Sequence, residues 1–136
     1  MEIFKLGVPH RYDGNAELAS YTAWLRALKD KLQELTGKEI SQERISNAIG
    51  IYNRMRELFK KIGLLRRDSS PPLSALDFAR LNHASFYADP VFMVDVMGSI
   101  YEELRERKRR SQRDGPRLML IGPNIADGEY RILELA

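Results

Sequence analysis

The sequence predicts a mainly α-helical fold: a bundle of four main helices with a short strand near each end and a further helix at the C-terminus. Apolar residues recur in steps of three and four over most of the chain, which is the spacing of one face of a helix. Glycine and proline divide this pattern into segments at Gly37, at Pro71 and Pro72, and at Pro90. A short apolar run at 117–122 breaks the pattern and predicts a strand.

The first helix is predicted to follow the polar residues Asp13, Gly14 and Asn15, which can cap a helix. Its apolar face comprises Leu18, Tyr21, Leu25, Leu28, Leu32 and Leu35. Gly37 is expected to end it, because glycine readily adopts the left-handed conformation found just past a helix C-terminus.

The second helix is expected to begin after Ser41, a suitable N-cap, with Glu43 in its positive first turn. Its apolar stripe comprises Ile45, Ile49, Tyr52, Met55, Phe59 and Ile62. Two consecutive prolines, Pro71 and Pro72, separate it from the third helix, because proline cannot continue a helix.

Ser74 can cap a third helix, and Asp89 followed by Pro90 signals the start of a fourth. The apolar residues of the third helix are Leu76, Phe78, Ala79, Leu81 and Phe86; those of the fourth are Val91, Val94, Met97, Ile100, Tyr101 and Leu104. The fourth helix runs into a basic stretch, and the chain is expected to break at 114–116.

The run at 117–122 has the compact apolar character of a buried parallel strand, and residues 129–136 are expected to start a helix after it. Residues 2–8, ending before Pro9, predict a second short strand or an extended lead-in. A single parallel strand cannot pair its own backbone groups. We therefore expect the chain to be truncated relative to a natural fold.

Composition limits the classes of protein to which the chain can belong. The apolar fraction is 43%, the charged fraction is 30% and the mean hydropathy is −0.42, so we expect a soluble folded domain with no membrane span. The N-terminus lacks the pattern of a signal peptide, so we expect a cytoplasmic protein. No cysteine is present, which excludes disulfides, thiolate metal sites and thiol nucleophiles within this chain.

Few residues predict a chemical site. The two histidines, His10 and His83, lie outside any metal-binding motif, and we interpret both as satisfied structural or surface side chains. Loops at the carboxyl ends of parallel strands often bind ligands, so Gly122, Pro123 and Asn124 are the candidate substrate-binding residues. Alternatively they only form the turn. We predict no catalytic residue and no metal ligand in this chain.

A basic run follows the fourth helix. It consists of Arg105, Arg107, Lys108, Arg109, Arg110 and Arg113. Such a run can bind phosphate, but cations are also favoured at a helix C-terminus. Glu102, Glu103 and Glu106 lie at helical pairing distances from the arginines, which favours a solvated, salt-bridged face.

Several segments in this order resemble the 2-hydroxyacyl-CoA dehydratase and benzoyl-CoA reductase family, over nearly the whole chain. The matching segments are Leu6-Gly7-Val8-Pro9, Leu35-Thr36-Gly37-Lys38-Glu39-Ile40-Ser41, Tyr52-Asn53, Pro71-Pro72-Leu73-Ser74, Asp89-Pro90 and the run from Arg117 to Asp127. The Thr-Gly-Lys-Glu-Ile-Ser and Tyr-Asn elements are fairly specific to the family in combination, whereas either element alone would be a weak signal of it.

The resemblance implies a parent subunit with two Rossmann-like α/β halves and a helical segment between them. Cysteines from both halves would hold a [4Fe–4S] cluster, and the subunit would pair with a related dehydratase subunit or as a homodimer. An ATP-dependent activator would supply one electron, and a ketyl radical would allow water to be eliminated from a 2-hydroxyacyl-CoA thioester. Related subunits reduce aromatic rings in benzoyl-CoA reductases.

By this resemblance, residues 1–12 are the end of the first α/β half, 13–114 the helical segment, and 115–136 the truncated start of the second half. Family members carry their cluster cysteines before and after the matched region, and this chain has none. No cluster ligand can therefore be assigned here. We interpret the chain as an internal fragment that is not catalytic by itself.

Two alternatives remain open from the sequence. The chain could be a non-enzymatic helical interaction module that binds phosphate or nucleic acid through the run from Arg105 to Arg113. Acidic residues are interspersed among the helices and no recognition-helix motif is present, so we expect no nucleic-acid partner. The chain could also be a domain that dimerises to complete its sheet.

Overall fold

A computed structural model describes residues 4, 5, 7, 14–107, 118–121 and 125–135, and five α-helices lie within them. They are α1 (Asn15–Thr36), α2 (Gln42–Leu65), α3 (Ala75–Tyr87), α4 (Pro90–Glu106) and the short α5 (Arg131–Leu135). The predicted helical class with four main helices is confirmed. The chain divides into two compact units, Met1–Asn47 and Ala48–Ala136.

The first unit contains α1 and the start of α2. Gly14 is the N-cap of α1, without a side-chain hydrogen bond, and Gly37 ends the helix in the left-handed region with φ of 64°. The Gly37 N–H donates to the Gln33 carbonyl oxygen at 2.9 Å. The Arg44 N–H donates to the Ser41 hydroxyl at 3.2 Å, so Ser41 caps α2 as predicted. None of the α1 residues is buried.

The second unit has a small apolar core built from α2 and α4. Its buried residues are Met55 and Ile62 of α2 and Met93, Val94, Met97 and Leu104 of α4. Of the residues that the structure describes, only Ile62 and Met97 are fully enclosed. Helix α3 packs at the edge of this core, where the Phe78 ring stacks on Phe59 with ring centroids 4.5 Å apart.

Side-chain caps fix the starts of α3 and α4. The Ser74 hydroxyl accepts a hydrogen bond from the Asp77 N–H at 3.0 Å and donates to the Asp77 carboxylate at 2.7 Å. The Asp89 carboxylate accepts from the N–H groups of Val91 and Phe92, at 2.9 and 3.0 Å. Because the first N–H groups of a helix have no partner inside it, these side chains determine where each helix begins. Both predicted caps are confirmed.

The predicted strand at 117–122 does not form in its described part. Residues 118–121 belong to no strand, and their side chains are 53–84% exposed. The physical reason is the missing partner: a strand needs a neighbour for its backbone N–H and C=O groups, and the described residues include no other strand. At the other end, residues 4, 5 and 7 also belong to no strand, and the rest of that predicted element lies outside the described residues.

Helix α4 ends at Glu106, with Arg107 as its extended C-cap, so it ends within the basic run that begins at Arg105. The start of the last helix, in contrast, differs from the predicted residue 129. Helix α5 starts at Arg131, because the Tyr130 carbonyl oxygen accepts the first hydrogen bonds of the turn, from the N–H groups of Leu133 and Glu134.

The division of the chain into residues 1–12, 13–114 and 115–136 remains a prediction. Over the described ranges no helix is both long and apolar enough to cross a membrane.

Met97 and Met119 offer a matched test of the core, because one is fully buried and the other is 84% exposed. We expect Met97→Ala to lower the free energy of unfolding by about 2–5 kcal/mol, since it leaves a cavity among packed side chains. Met119→Ala should change it by less than about 0.5 kcal/mol. Urea unfolding followed by circular dichroism measures both, and equal losses would contradict the assignment of the core.

Gly37 and Gly50 should respond in opposite directions to alanine, although neither position has an atom within 4 Å of the added Cβ. Gly37→Ala should destabilise the chain by about 1 kcal/mol, because a Cβ is strained in the left-handed region. Gly50→Ala should stabilise it by about 0.5–1 kcal/mol, because Gly50 lies inside α2. Thermal unfolding of both variants tests the helix break at Gly37; stabilisation by Gly37→Ala would rule it out.

Candidate functional site

One polar cluster joins segments far apart in the sequence of the second unit. We call it the His83 cluster; its members are Arg80 and His83 on α3, and Asp127 and Tyr130 just before α5. The His83 Nδ1 lies 2.7 Å from the Tyr130 hydroxyl oxygen, across 47 positions of sequence. Helices α3 and α5 are in contact at this point.

A tight turn brings the two C-terminal members of the cluster together. The Glu129 N–H donates to the Ala126 carbonyl oxygen at 3.1 Å, and Gly128 between them has φ of 88°. Only glycine adopts this conformation without strain, so the turn depends on Gly128. The Tyr130 hydroxyl can then donate to the Asp127 carboxylate at 2.5 Å.

The hydrogen bonds determine which ring nitrogen of His83 carries a proton. Tyr130 has one hydroxyl hydrogen, and Asp127 accepts it. The Tyr130 oxygen can therefore only accept from His83, so Nδ1 must be protonated. Asp127 Oδ1 lies 3.4 Å from the same Nδ1, which favours this tautomer further. In the neutral imidazole Nε2 then holds the lone pair and can accept a hydrogen bond or a proton.

Aromatic and cationic contacts complete the cluster. The His83 and Tyr130 rings are tilted by 32° with centroids 5.5 Å apart, and the Arg80 guanidinium lies 5.5 Å from the Tyr130 centroid. The His83 side chain is 15% exposed and that of Asp127 is 53% exposed. The imidazole is therefore sheltered beside a carboxylate that remains in water.

The cluster raises the pKa of the Tyr130 hydroxyl above its ordinary value of 10.0. The main cause is the hydrogen bond that the phenol donates to Asp127, because the carboxylate stabilises the protonated form. Burial and the negative charge of Asp127 act in the same direction. A backbone hydrogen bond at Gly128 and the positive charge of Arg80 oppose it but do not reverse it.

The residues predicted to bind substrate, Gly122, Pro123 and Asn124, lie outside the described residues, so their role remains a prediction. His10 also lies outside them. His83 is hydrogen-bonded, as expected for a satisfied histidine. Its partners were missed because they lie more than 40 positions away and no spacing rule links them. The only available signal was that Asp127 and Tyr130 are three residues apart in a polar turn.

The described part of the basic run is paired with carboxylates. Arg105 lies 2.9 Å from Glu102 and Arg107 lies 2.6 Å from Glu103, each one helical turn away. Arg107 also donates to the Pro72 carbonyl oxygen at 3.4 Å. These contacts confirm a salt-bridged helix end. The remaining cations, Lys108, Arg109, Arg110 and Arg113, lie outside the described residues.

The residues of this chain do not fit an iron–sulfur cluster. The sequence has no cysteine to supply a thiolate. In the described portion, no three His, Asp or Glu side chains come together as a possible metal-binding group. We therefore assign no residue of this chain to a cluster.

Comparison with known proteins gives one family and one curated relative. The model of the 2-hydroxyglutaryl-CoA dehydratase D-component family matches residues 1–136. An Escherichia coli (strain K12) protein named "Putative dehydratase subunit YjiM" is 23% identical over 129 residues, which cover 93% of this chain and 34% of the relative. This chain thus spans about a third of the length of that relative. No solved structure matches.

The Tyr130 hydroxyl gives the His83 cluster a defined pH dependence. Folding raises the pKa of this hydroxyl, so its protonated form stabilises the folded chain. This contribution to stability is fully present below the ordinary pKa of 10.0 and is lost as pH rises through the raised pKa. Absorbance titration should show a late-titrating tyrosine that is missing from Tyr130→Phe. Tyr87→Phe is the control, because Tyr87 is 77% exposed, and it should leave that late signal in place. A late signal that persists in Tyr130→Phe would refute the cluster.

Proposed function

Because the chain belongs to the 2-hydroxyglutaryl-CoA dehydratase D-component family, we propose that it is part of a subunit of a 2-hydroxyacyl-CoA dehydratase-type enzyme. The observation that carries this proposal is the family match, which extends through all 136 residues and so includes every helix described above. The proposed reaction is radical elimination of water from a 2-hydroxyacyl-CoA. The enzyme would work in the cytoplasm.

We propose that this segment is a structural part of the subunit and is not catalytic by itself. Its buried core is formed by α2 and α4, and the His83 cluster attaches the segment that contains α5 to α3. This attachment would hold the second α/β half, expected from residue 115 onward, against the helical segment. Gly122, Pro123 and Asn124 would then be presented to substrate at the start of that half.

The [4Fe–4S] cluster of the proposed enzyme would be held by cysteines outside these 136 residues. That assignment follows from the absence of cysteine here and from the family pattern, in which cysteines flank the matched region. When bound, such a cluster supplies one-electron chemistry. The proposed partners are a related dehydratase subunit or a second copy, an ATP-dependent activator, and the acyl-CoA substrate.

The alternative is a module that binds phosphate or nucleic acid through the run from Arg105 to Arg113, and the described residues give no observation in its favour. A phosphate-binding cation must be available to the ligand, and both described members of the run already contact carboxylates. These pairs are solvent-exposed and weak, so they do not forbid binding. They do show that Arg105 and Arg107 each have a carboxylate partner.

The proposal is tested by activity of the full-length gene product, purified without oxygen together with its partner subunit. The probe is 2-hydroxyglutaryl-CoA, with ATP and the activator of a characterised family member, and mass spectrometry follows the loss of water from the thioester. We expect an enoyl-CoA product that depends on ATP and activator, and protein-bound iron. Absence of both product and iron, while the characterised dehydratase works in the same mixture, would overturn the proposal.

A further inference from the structure

The apolar face of α1 has the spacing of a helix–helix seam. Its apolar residues follow one another in steps of three, four, three, four and three: Leu18, Tyr21, Leu25, Leu28, Leu32 and Leu35. This alternation is the a and d pattern of a coiled coil, in which each side chain packs against a second helix. No a or d position between Leu18 and Leu35 carries a charge.

Four of the six seam residues are exposed in the structure, and Tyr21 and Leu28 are half-buried. Leu18 and Leu35 are 65% and 66% exposed, Leu25 and Leu32 are 42% and 41% exposed, and no α1 residue is buried. The opposite face of the helix is small or polar, with Ser20, Ala23, Ala27, Asp30 and Glu34. An exposed stripe of large apolar side chains on one face, with a polar face behind it, is typical of an interaction surface.

The seam is complementary to itself when a second copy runs antiparallel. If Leu18 of one copy lies opposite Leu35 of the other, Tyr21 lies opposite Leu32 and Leu25 lies opposite Leu28. All six seam residues of each copy then face an apolar residue of the other copy. A parallel pair would instead place the two Tyr21 rings in one layer. The antiparallel arrangement distributes these bulky rings over two layers, each facing a leucine.

Charge also favours the antiparallel arrangement. Glu17 is the acidic residue in the first turn of α1, and Lys38 lies just beyond its last turn. An antiparallel copy brings the Glu17 end of one helix beside the Lys38 end of the other. It also orients the two helix dipoles in opposite directions, which is favourable. A parallel copy aligns the dipoles and brings like ends together.

We propose that α1 is a dimerisation helix, which pairs antiparallel with α1 of a second copy of this chain through the six apolar residues of its seam. The pairing does not depend on the reaction catalysed. A failure of this inference would therefore leave the dehydratase proposal unaffected, and the reverse also holds.

The first test compares Leu25→Glu with Leu64→Glu in the 136-residue chain. Both leucines are 42% exposed, but Leu64 lies in α2, outside the seam. Light scattering after size exclusion should find a dimer for the wild type and for Leu64→Glu. Leu25→Glu should raise the dissociation constant by at least about tenfold, which corresponds to about 1.4 kcal/mol. Circular dichroism checks that each variant is helical. A monomeric wild type, or equal dimerisation of both variants, would overturn the proposal.

The second test determines orientation, and the absence of native cysteine makes it direct. Chains with Leu18→Cys and chains with Leu35→Cys are oxidised separately and as a mixture. In the antiparallel pair positions 18 and 35 face each other, whereas two copies of position 18 lie about 25 Å apart at 1.5 Å per residue, too far for a disulfide. We expect a cross-linked dimer in the mixture alone. Cross-linking of Leu18→Cys with itself, or no cross-link in the mixture, would contradict the antiparallel pair.

Discussion

The packing of α4 on α2 is the contact on which the rest of the second unit depends. Among the described residues six side chains form the buried core, and two of these, Ile62 and Met97, are fully enclosed. Three of the six are methionines, whose flexible thioethers fill irregular space but fix neighbouring side chains less strictly than branched residues do. With so small a core, each helix must also be positioned by local interactions. The Ser74 and Asp89 caps do this for α3 and α4.

Elements farther from this core are held increasingly by polar contacts. Helix α3 retains an apolar contact, the stacked pair Phe59 and Phe78. Helix α5 has five residues and no buried side chain, which is too short to be stable alone. The His83 cluster attaches it to α3. The contacts thus change from apolar in the α2–α4 core to polar at α5, and the predicted substrate residues, 122–124, precede α5 in the sequence.

The sequence alone was sufficient to predict features that depend on residues close together in the chain. Ser41, Ser74 and Asp89 cap helices because each acts on an N–H two or three positions away, and Gly37 ends α1 through its own backbone angle. Features that depend on distant residues could not be obtained in this way. The apolar run at 118–121 has strand composition, but a strand also needs a neighbour. Likewise, His83 gave no indication that its partners would be Tyr130 and Asp127.

The structure and the family match support different parts of the functional account. The family match assigns the chain to dehydratase D-components, whereas the helices show a scaffold whose described residues offer no metal-binding group. The two agree if the segment's role is to hold other parts of the subunit in place. In that role the polar side chains of this segment serve to join its parts. The His83 cluster fits this role, because its hydrogen bonds connect its own members.

Amide hydrogen exchange of the 125–135 segment tests this attachment most directly. The N–H groups of Leu133 and Glu134 bond to the Tyr130 carbonyl oxygen, and their protection depends on α5 staying docked. The account predicts protection of these amides at neutral pH in the wild type and its loss in His83→Ala, with α4 core amides such as Met97 unchanged. Equal protection of Leu133 and Glu134 in the two proteins would contradict the account, as would unprotected amides in the wild type.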